Sequence, residues 1–153
     1  MNFELRLLGP DDAPVLARVA PGVFDHPVHG GQTAVFLRDP RHHLVVALDG
    51  PLVVGFVSAV HYVHPDKPAE LWINEVSVAP THQRLGIGTA LLQRLLQHGR
   101  ELGCVQAWVL TDPANAAARG LYRAAGGREP AVPTVMVEFP LDGGPEPSVG
   151  PCP

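Results

Sequence analysis

Between Asn74 and Gln93 the chain reads NEVSVAPTHQRLGIGTALLQ. Within it, Gln83-Arg84-Leu85-Gly86-Ile87-Gly88 stands between an apolar, strand-like run and a leucine-rich run of helical spacing. The first turn of a helix leaves backbone N–H groups unpaired and carries the positive end of the helix dipole, so it is a natural anion site. Gly86 and Gly88 permit positive φ and a close approach of backbone to ligand. Arg84 adds a fixed positive charge. A phosphate or pyrophosphate is the group such a loop would hold. Two common nucleotide loops are excluded. A dinucleotide fingerprint needs a third glycine where Leu91 stands, and an ATP-type loop needs a Gly-Lys-Ser/Thr tripeptide that the chain lacks. Two glycines at a strand-to-helix turn can also serve the turn alone. From these six residues both readings stay open.

Glu75 is the other residue that draws attention, because it interrupts an apolar strand. Burial there would raise its pKa toward the range of a useful general base. It could equally form an ion pair within the fold or bind a ligand's charge. The histidines fall in pairs: His26 with His29, His42 with His43, and His61 with His64. A spacing of three can place two metal ligands on one helix face, but His61 to His64 reads as a strand end. No cysteine or matched carboxylate set completes a site. No metal is expected, and the histidines read as loop or surface residues.

The elements that must position these groups follow from pattern. Phe3 to Leu8 alternates apolar and polar as a strand does. Gly9 to Asp12 then gives turn and helix-start signals before a helix at VLARVA. Pro21 to Pro40 is loop-rich, with a short helix at Gln32 to Leu37. Strands are expected at Leu44 to Leu48 and Leu52 to Val63, joined by an Asp49-Gly50-Pro51 hairpin turn. Another covers Glu70 to Val78. Leu91, Leu92, Leu95, Leu96 and Leu102 form one stripe of a helix from Gly88 to Leu102, ended by Gly103. Val105 to Leu110 is a strand, Ala114 to Ala125 a helix, and Thr134 to Phe139 a last strand. The strand–helix–strand unit from Glu70 to Leu110 implies a parallel pair.

The bulk properties narrow the class. The 153 residues, 46% hydrophobic and 17% charged, read as one globular domain over residues 1–141. Residues 142–153 form a tail expected to be disordered. A net charge of -4 argues against nucleic acid. No apolar run reaches the roughly 20 residues of a membrane span, and the N-terminus lacks a secretory pattern. Two cysteines, Cys104 and Cys152, do not make a disulfide framework. A cytoplasmic location is expected.

Two separated motifs carry a resemblance. Val78-Ala79-Pro80, Gln83 to Gly88 and Ala90-Leu91-Leu92 are similar to the acetyl-CoA motif of the GNAT superfamily of N-acetyltransferases. Asn115-x-x-Ala118-x-x-Leu121-Tyr122-x-x-x-Gly126 resembles the helix after that family's fifth strand. Gly127 departs from the family, which usually has a bulky apolar residue there. The resemblance covers roughly residues 3 to 140. It implies a mixed, mostly antiparallel α/β sheet, helices on both faces, and a parallel fourth and fifth strand splayed to admit acetyl-CoA. It further implies that Gln83, Arg84, Leu85, Gly86, Ile87, Gly88 and Thr89 hold the pyrophosphate. Val76, Ser77 and Val78 would bind the pantetheine arm, and Asn115, Ala118 and Tyr122 would lie beside the cofactor. A backbone N–H near Val76 would polarise the thioester carbonyl. Glu75 would take the proton an ammonium must lose before it attacks. Tyr122, a phenol that stays protonated at pH 7, would serve the departing thiolate. Against these stand a core role for Tyr122 and a helix-cap role for Asn115.

For the acceptor, YVHPDKPAELWINEVSV is similar to the type I aminoglycoside 3-N-acetyltransferases, a looser likeness. A polycationic amine needs several carboxylates around one cleft, and Asp25, Glu75, Asp112 and Glu138 are the candidates. A peptide or small-metabolite amine, or acyl-CoA binding without catalysis, are the alternatives. A homodimer is expected by analogy alone.

Overall fold

The structure, a computed structural model, describes residues 2–144. Its elements in chain order are β1 Glu4–Leu7, α1 Gly30–Arg38, β2 His42–Asp49, β3 Leu52–Tyr62, β4 Glu70–Val78, α2 Ile87–Glu101, β5 Gln106–Val109 and α3 Ala116–Ala124, with 3-10 turns at Ala13–Ala17 and Pro80–His82. The five strands form one sheet in sequence order, antiparallel from β1 to β4 and parallel between β4 and β5. This is the mixed α/β sheet expected from the strand–helix–strand unit.

The near-continuous apolar runs of β2 and β3 belong to strands covered on both faces. Val45, Val46 and Ala47 of β2 and Val53, Val54 and Val57 of β3 are wholly buried. Successive side chains of a strand point to opposite faces. Phe56 stacks on Phe24 on the side where α1 lies, with ring centroids 4.2 Å apart. Its neighbour Gly55 faces the other way, where an added Cβ would stand 3.3 Å from Leu91 of α2. Helices therefore cover both faces. Leu91, Leu92 and Leu95 bury the apolar stripe of α2. Beyond it Gly103, at φ 79°, lets its own N–H reach Arg100 O and the Cys104 N–H reach Gly99 O, closing the last turn.

Two expected elements differ. The helix at VLARVA is only the 3-10 turn Ala13–Ala17. Its continuation is drawn into the sheet: Val53 N–H donates to Arg18 O and Ala20 N–H to Val53 O, both at 2.9 Å. A backbone group bonded across to a strand cannot also extend a helix. The expected strand Thr134 to Phe139 is not formed. Val135, Met136, Val137 and Phe139 are exposed there, and the segment pairs with no strand. Its β-branched composition suits a strand, and β5 offers a free edge, but the segment bonds to no strand among the described residues. Of the expected tail, residues 145–153 lie outside the described residues. No helix among the described residues is long and apolar enough to cross a membrane.

Candidate active site

The parallel ladder between β4 and β5 ends at Ile73 opposite Val109. From Asn74 to Val78, β4 continues without a partner on that side, and the sheet opens. A cavity of about 950 Å³ fills the gap. Val76, Ser77 and Val78 line it from β4; Gln83, Arg84, Gly86, Ile87, Gly88 and Thr89 from the loop and first turn of α2; and Asn115, Ala118 and Tyr122 from α3. Leu85, expected among them, does not line it and is exposed. Gly22, His82, Ala116, Ala117, Gly120 and Leu121 also line the cavity and were not foreseen. The run of Ala and Gly at the start of α3 was visible in the sequence, but not the side it turns to the gap.

The two glycines of the loop do different work. Gly86 caps α2 at φ 80°, with nothing within 4 Å of where a Cβ would stand. Arg84 adopts φ 64°, a left-handed conformation uncommon outside glycine and concentrated at functional loops. No side chain caps α2 and no acidic residue lies in its first turn. Its opening N–H groups, which have no intrahelical partner, therefore face the cavity free of local competition. Gln83 Nε2 donates to Val78 O at 3.1 Å and ties the loop to the end of β4. Gly88 instead serves packing. A Cβ there would meet the Leu121 methyls at 3.2 and 3.3 Å, so its absence lets α3 lie against α2.

On α3, Asn115 Oδ1 accepts from the Ala118 N–H at 3.0 Å, so the residue caps the helix as well as lining the cavity. Burial pushes the Tyr122 phenol above its ordinary pKa, which keeps it protonated at neutral pH. The helix closes with Gly126 at φ 94° and the Gly127 N–H bonded to Tyr122 O at 2.9 Å. A Cβ at Gly127 would stand 2.9 Å from that same oxygen, which accounts for glycine where a bulky residue was expected.

A second cavity, of about 350 Å³, lies on the α1 side of the sheet and includes Asp25, Ser58 and Glu75. The register explains how Glu75 reaches it. Ser58 pairs with Glu75 and Ala59 with Ile73, so Asn74 is an extra residue on β4. Without this bulge Glu75 would share the face of Ile73 and Leu71, toward α2. The bulge turns it to the opposite face, beside Ser58. Adjacent residues of one strand thus line the two cavities, Glu75 the smaller and Val76 the larger. Glu75 makes no ion pair among the described residues. Its pKa is raised, first by burial and then by the charge of Asp25.

The other expected carboxylates are elsewhere. Asp112 is exposed at the turn into α3, where its Oδ1 accepts from the Ala114 N–H at 2.7 Å. Capping that turn directs the side chain away from both cavities. Glu138 lies in the exposed segment after α3, because the strand that would have carried it to the sheet does not form.

Nor are the histidines all surface residues. His29 Nδ1 accepts from the Gln32 N–H at 3.3 Å and caps α1, and both His26 and His29 line the smaller cavity. His43 is buried on β2 and bonded on both sides, to His61 Nδ1 at 2.7 Å and to His98 Nε2 at 3.0 Å. Burial, followed by the charges of His98, His61 and His42, lowers its pKa to about 4. Three elements bring these rings together, so no local spacing announces them.

Comparison with known proteins follows the same lines. Residues 16–126 match the family described as Acetyltransferase (GNAT) family. An N-alpha-acetyltransferase RimI of Mycobacterium tuberculosis is 37% identical over 90 residues, 59% of this chain and 54% of that protein. An L-2,4-diaminobutyric acid acetyltransferase of Nocardia farcinica is 33% identical over 92 residues, 60% of this chain and 46% of that protein. The chain spans about half the length of these curated relatives. Among solved structures, an aminoglycoside acetyltransferase from an uncultured soil metagenomic sample superposes with a TM-score of 0.77 at 24% identity, over 92% of this chain and 99% of that one. The aminoglycoside enzyme AAC(6')-Iy, solved with a bisubstrate analogue of CoA and acetylneamine, superposes with a TM-score of 0.72 at 17% identity, over 92% of this chain and 100% of that one. It is a 6' enzyme, not the 3-N type that the loop after β3 suggested.

Proposed function

The chain belongs to the acetyltransferase (GNAT) family, and from that premise we propose that it transfers acetyl from acetyl-CoA to the primary amine of a small molecule. The observation that carries this reading is that adjacent residues of β4, Glu75 and Val76, line the smaller and the larger cavity. Acetyl-CoA supplies an acetyl group activated as a thioester. The residues of the larger cavity fit it. Uncapped N–H groups at Ile87, Gly88 and Thr89, with Arg84, would hold the pyrophosphate, and Gly86 leaves open space for its approach. The unpaired edge of β4 at Val76 to Val78 would bond the pantetheine amides as a strand bonds its neighbour. Asn115 and Ala118 would border it from α3.

From the smaller cavity, Glu75 would accept the ammonium proton, so that the neutral amine meets the thioester carbon past Val76. As the new C–N bond forms and the C–S bond breaks, Tyr122 would give its proton to the leaving sulfur, and the second proton that the nitrogen sheds in becoming an amide would restore the phenol through solvent. A raised pKa suits both residues. It makes Glu75 a stronger base, and it keeps Tyr122 a proton donor.

A second reading makes the acceptor an aminoglycoside or similar polycation. Two carboxylates in one cavity, Asp25 and Glu75, favour it. A homodimer is also proposed, supported by the exposed apolar side chains of Val132, Val135, Val137, Phe139 and Leu141. Thiol release from acetyl-CoA in the presence of an amine panel tests the reaction. Amine-dependent release is the expected result. Acetyl-CoA binding with no release for any amine would leave only an acyl-CoA-binding protein.

A further inference from the structure

The smaller cavity is walled mainly by hydrocarbon. Leu16, Leu37, Leu44 and Phe56 are buried beneath it, and the stacked rings of Phe24 and Phe56 make one side. At about 350 Å³ it lies near the low end of small-molecule sites, which span roughly 300–1,000 Å³. Its carboxylates are not spread around the rim. Asp25 and Glu75 line this one cavity together, and the charge of Asp25 adds to the burial that raises the pKa of Glu75. The wall opposite in charge is the start of α1. Gln32 and Thr33, in the first turn of that helix, line the cavity and bring the positive end of the helix dipole to it. A single ammonium has a site here; a second would find no further carboxylate, since the rest of the lining is hydrocarbon with His26, His29, Gln32, Thr33 and Ser58.

We infer that the acceptor is a compact primary monoamine with an apolar body, its ammonium between Asp25 and Glu75 and its body against Phe24 and Phe56. This rests on the acetyl-transfer reading and narrows its substrate class away from polycations. The ring pair gives a flat surface suited to an aromatic or branched hydrocarbon group. Val28, partly exposed, would close over its outer end.

The test compares kcat/KM at saturating acetyl-CoA, by thiol release, for 2-phenylethylamine, isoamylamine, ethylamine, putrescine, spermidine and kanamycin. The two apolar amines are expected to exceed putrescine, spermidine and kanamycin by about a hundred-fold. They should also exceed ethylamine by more than about ten-fold, since hydrophobic pockets discriminate on that scale per missing group. Phe24→Ala should raise KM for 2-phenylethylamine about ten-fold with a smaller change in kcat. Val28→Ser, at a rim position that leaves folding intact, should raise the same KM by a lesser factor. Kanamycin or spermidine as the best substrate would overturn the inference while acetyl transfer stands, as would ethylamine matching 2-phenylethylamine or an unchanged KM in both variants. No turnover of any amine by protein that binds acetyl-CoA would remove the transfer reading and the inference with it.

Discussion

Replacing Glu75 by glutamine keeps the shape of the side chain and removes its basicity. An amine with a pKa near that of lysine, about 10.4, is neutral in roughly one molecule per thousand at pH 7.5. A positioned base typically contributes about 10²- to 10⁴-fold by removing that proton in place. Glu75 retains contact with solvent, so water can take over part of the work, and the low end applies. The expected loss in kcat/KM is therefore about a hundred-fold at pH 7.5, or roughly 2.7 kcal/mol of barrier. The defect should shrink as pH rises, because the free amine grows about ten-fold per unit below its pKa. Acetyl-CoA affinity should not change, since Glu75 lines the other cavity. Nor should stability fall at pH 7. Because its folded pKa is raised, ionised Glu75 detracts from stability once the pH passes the ordinary carboxylate value, and glutamine removes that cost. The assay is thiol release from pH 6.5 to 9.5 beside an acetyl-CoA titration. A variant as active as the parent at pH 7 would refute the reasoning, as would a defect that does not vary with pH.

Other outcomes follow from the same geometry. Tyr122→Phe should lower kcat about ten-fold and leave the amine KM unchanged, since a thiolate with a pKa near 8.5 leaves with modest help; steady-state kinetics at pH 7.5 check this. Gly88→Val should press on Leu121, part α3 from α2 and destabilise the fold by about 1–3 kcal/mol. Gly86→Ala should cost about 1–2 kcal/mol through backbone strain alone; denaturant unfolding with and without acetyl-CoA separates the two. His43 should make the protein acid-sensitive. Its folded pKa of about 4 lies below the unfolded 6.5, so stability is fully present above pH 6.5 and is lost as pH falls toward 4. The loss should be on the order of 3 kcal/mol. His43→Gln should flatten that slope in denaturant unfolding between pH 7.5 and 4.5.

The larger cavity was legible because its determinants are local. A strand, a glycine loop and a helix start follow one another in the chain, and every residue of that stretch expected to line the cavity does so except Leu85. The small face of α3 was half legible, as Asn115, Ala118 and Tyr122 lie at helical spacing but Gly120 and Ala117 had no reason to be singled out. The smaller cavity was hidden. Its carboxylate places Glu75 among the cleft candidates, yet strict alternation along β4 would turn it toward α2. Only the extra residue Asn74, visible in the pairing of β3 with β4, turns it to Asp25. Charge type alone groups Asp112 and Glu138 with Asp25 and Glu75, and charge type carries no information about direction. The β-branched composition of Thr134 to Phe139 describes a tendency toward a strand and not whether the segment pairs, and it leaves the free edge of β5 unbonded. His43 with His61 and His98 is a long-range contact of three elements, invisible to any spacing rule.

Acetyl-CoA binding in the larger cavity underlies every step proposed for Glu75 and Tyr122, and calorimetric titration with acetyl-CoA measures it directly. One molecule should bind per chain, with affinity weakened by Arg84→Ala and unchanged by Glu75→Gln. No binding, or binding indifferent to Arg84 and lost with Glu75, would contradict it.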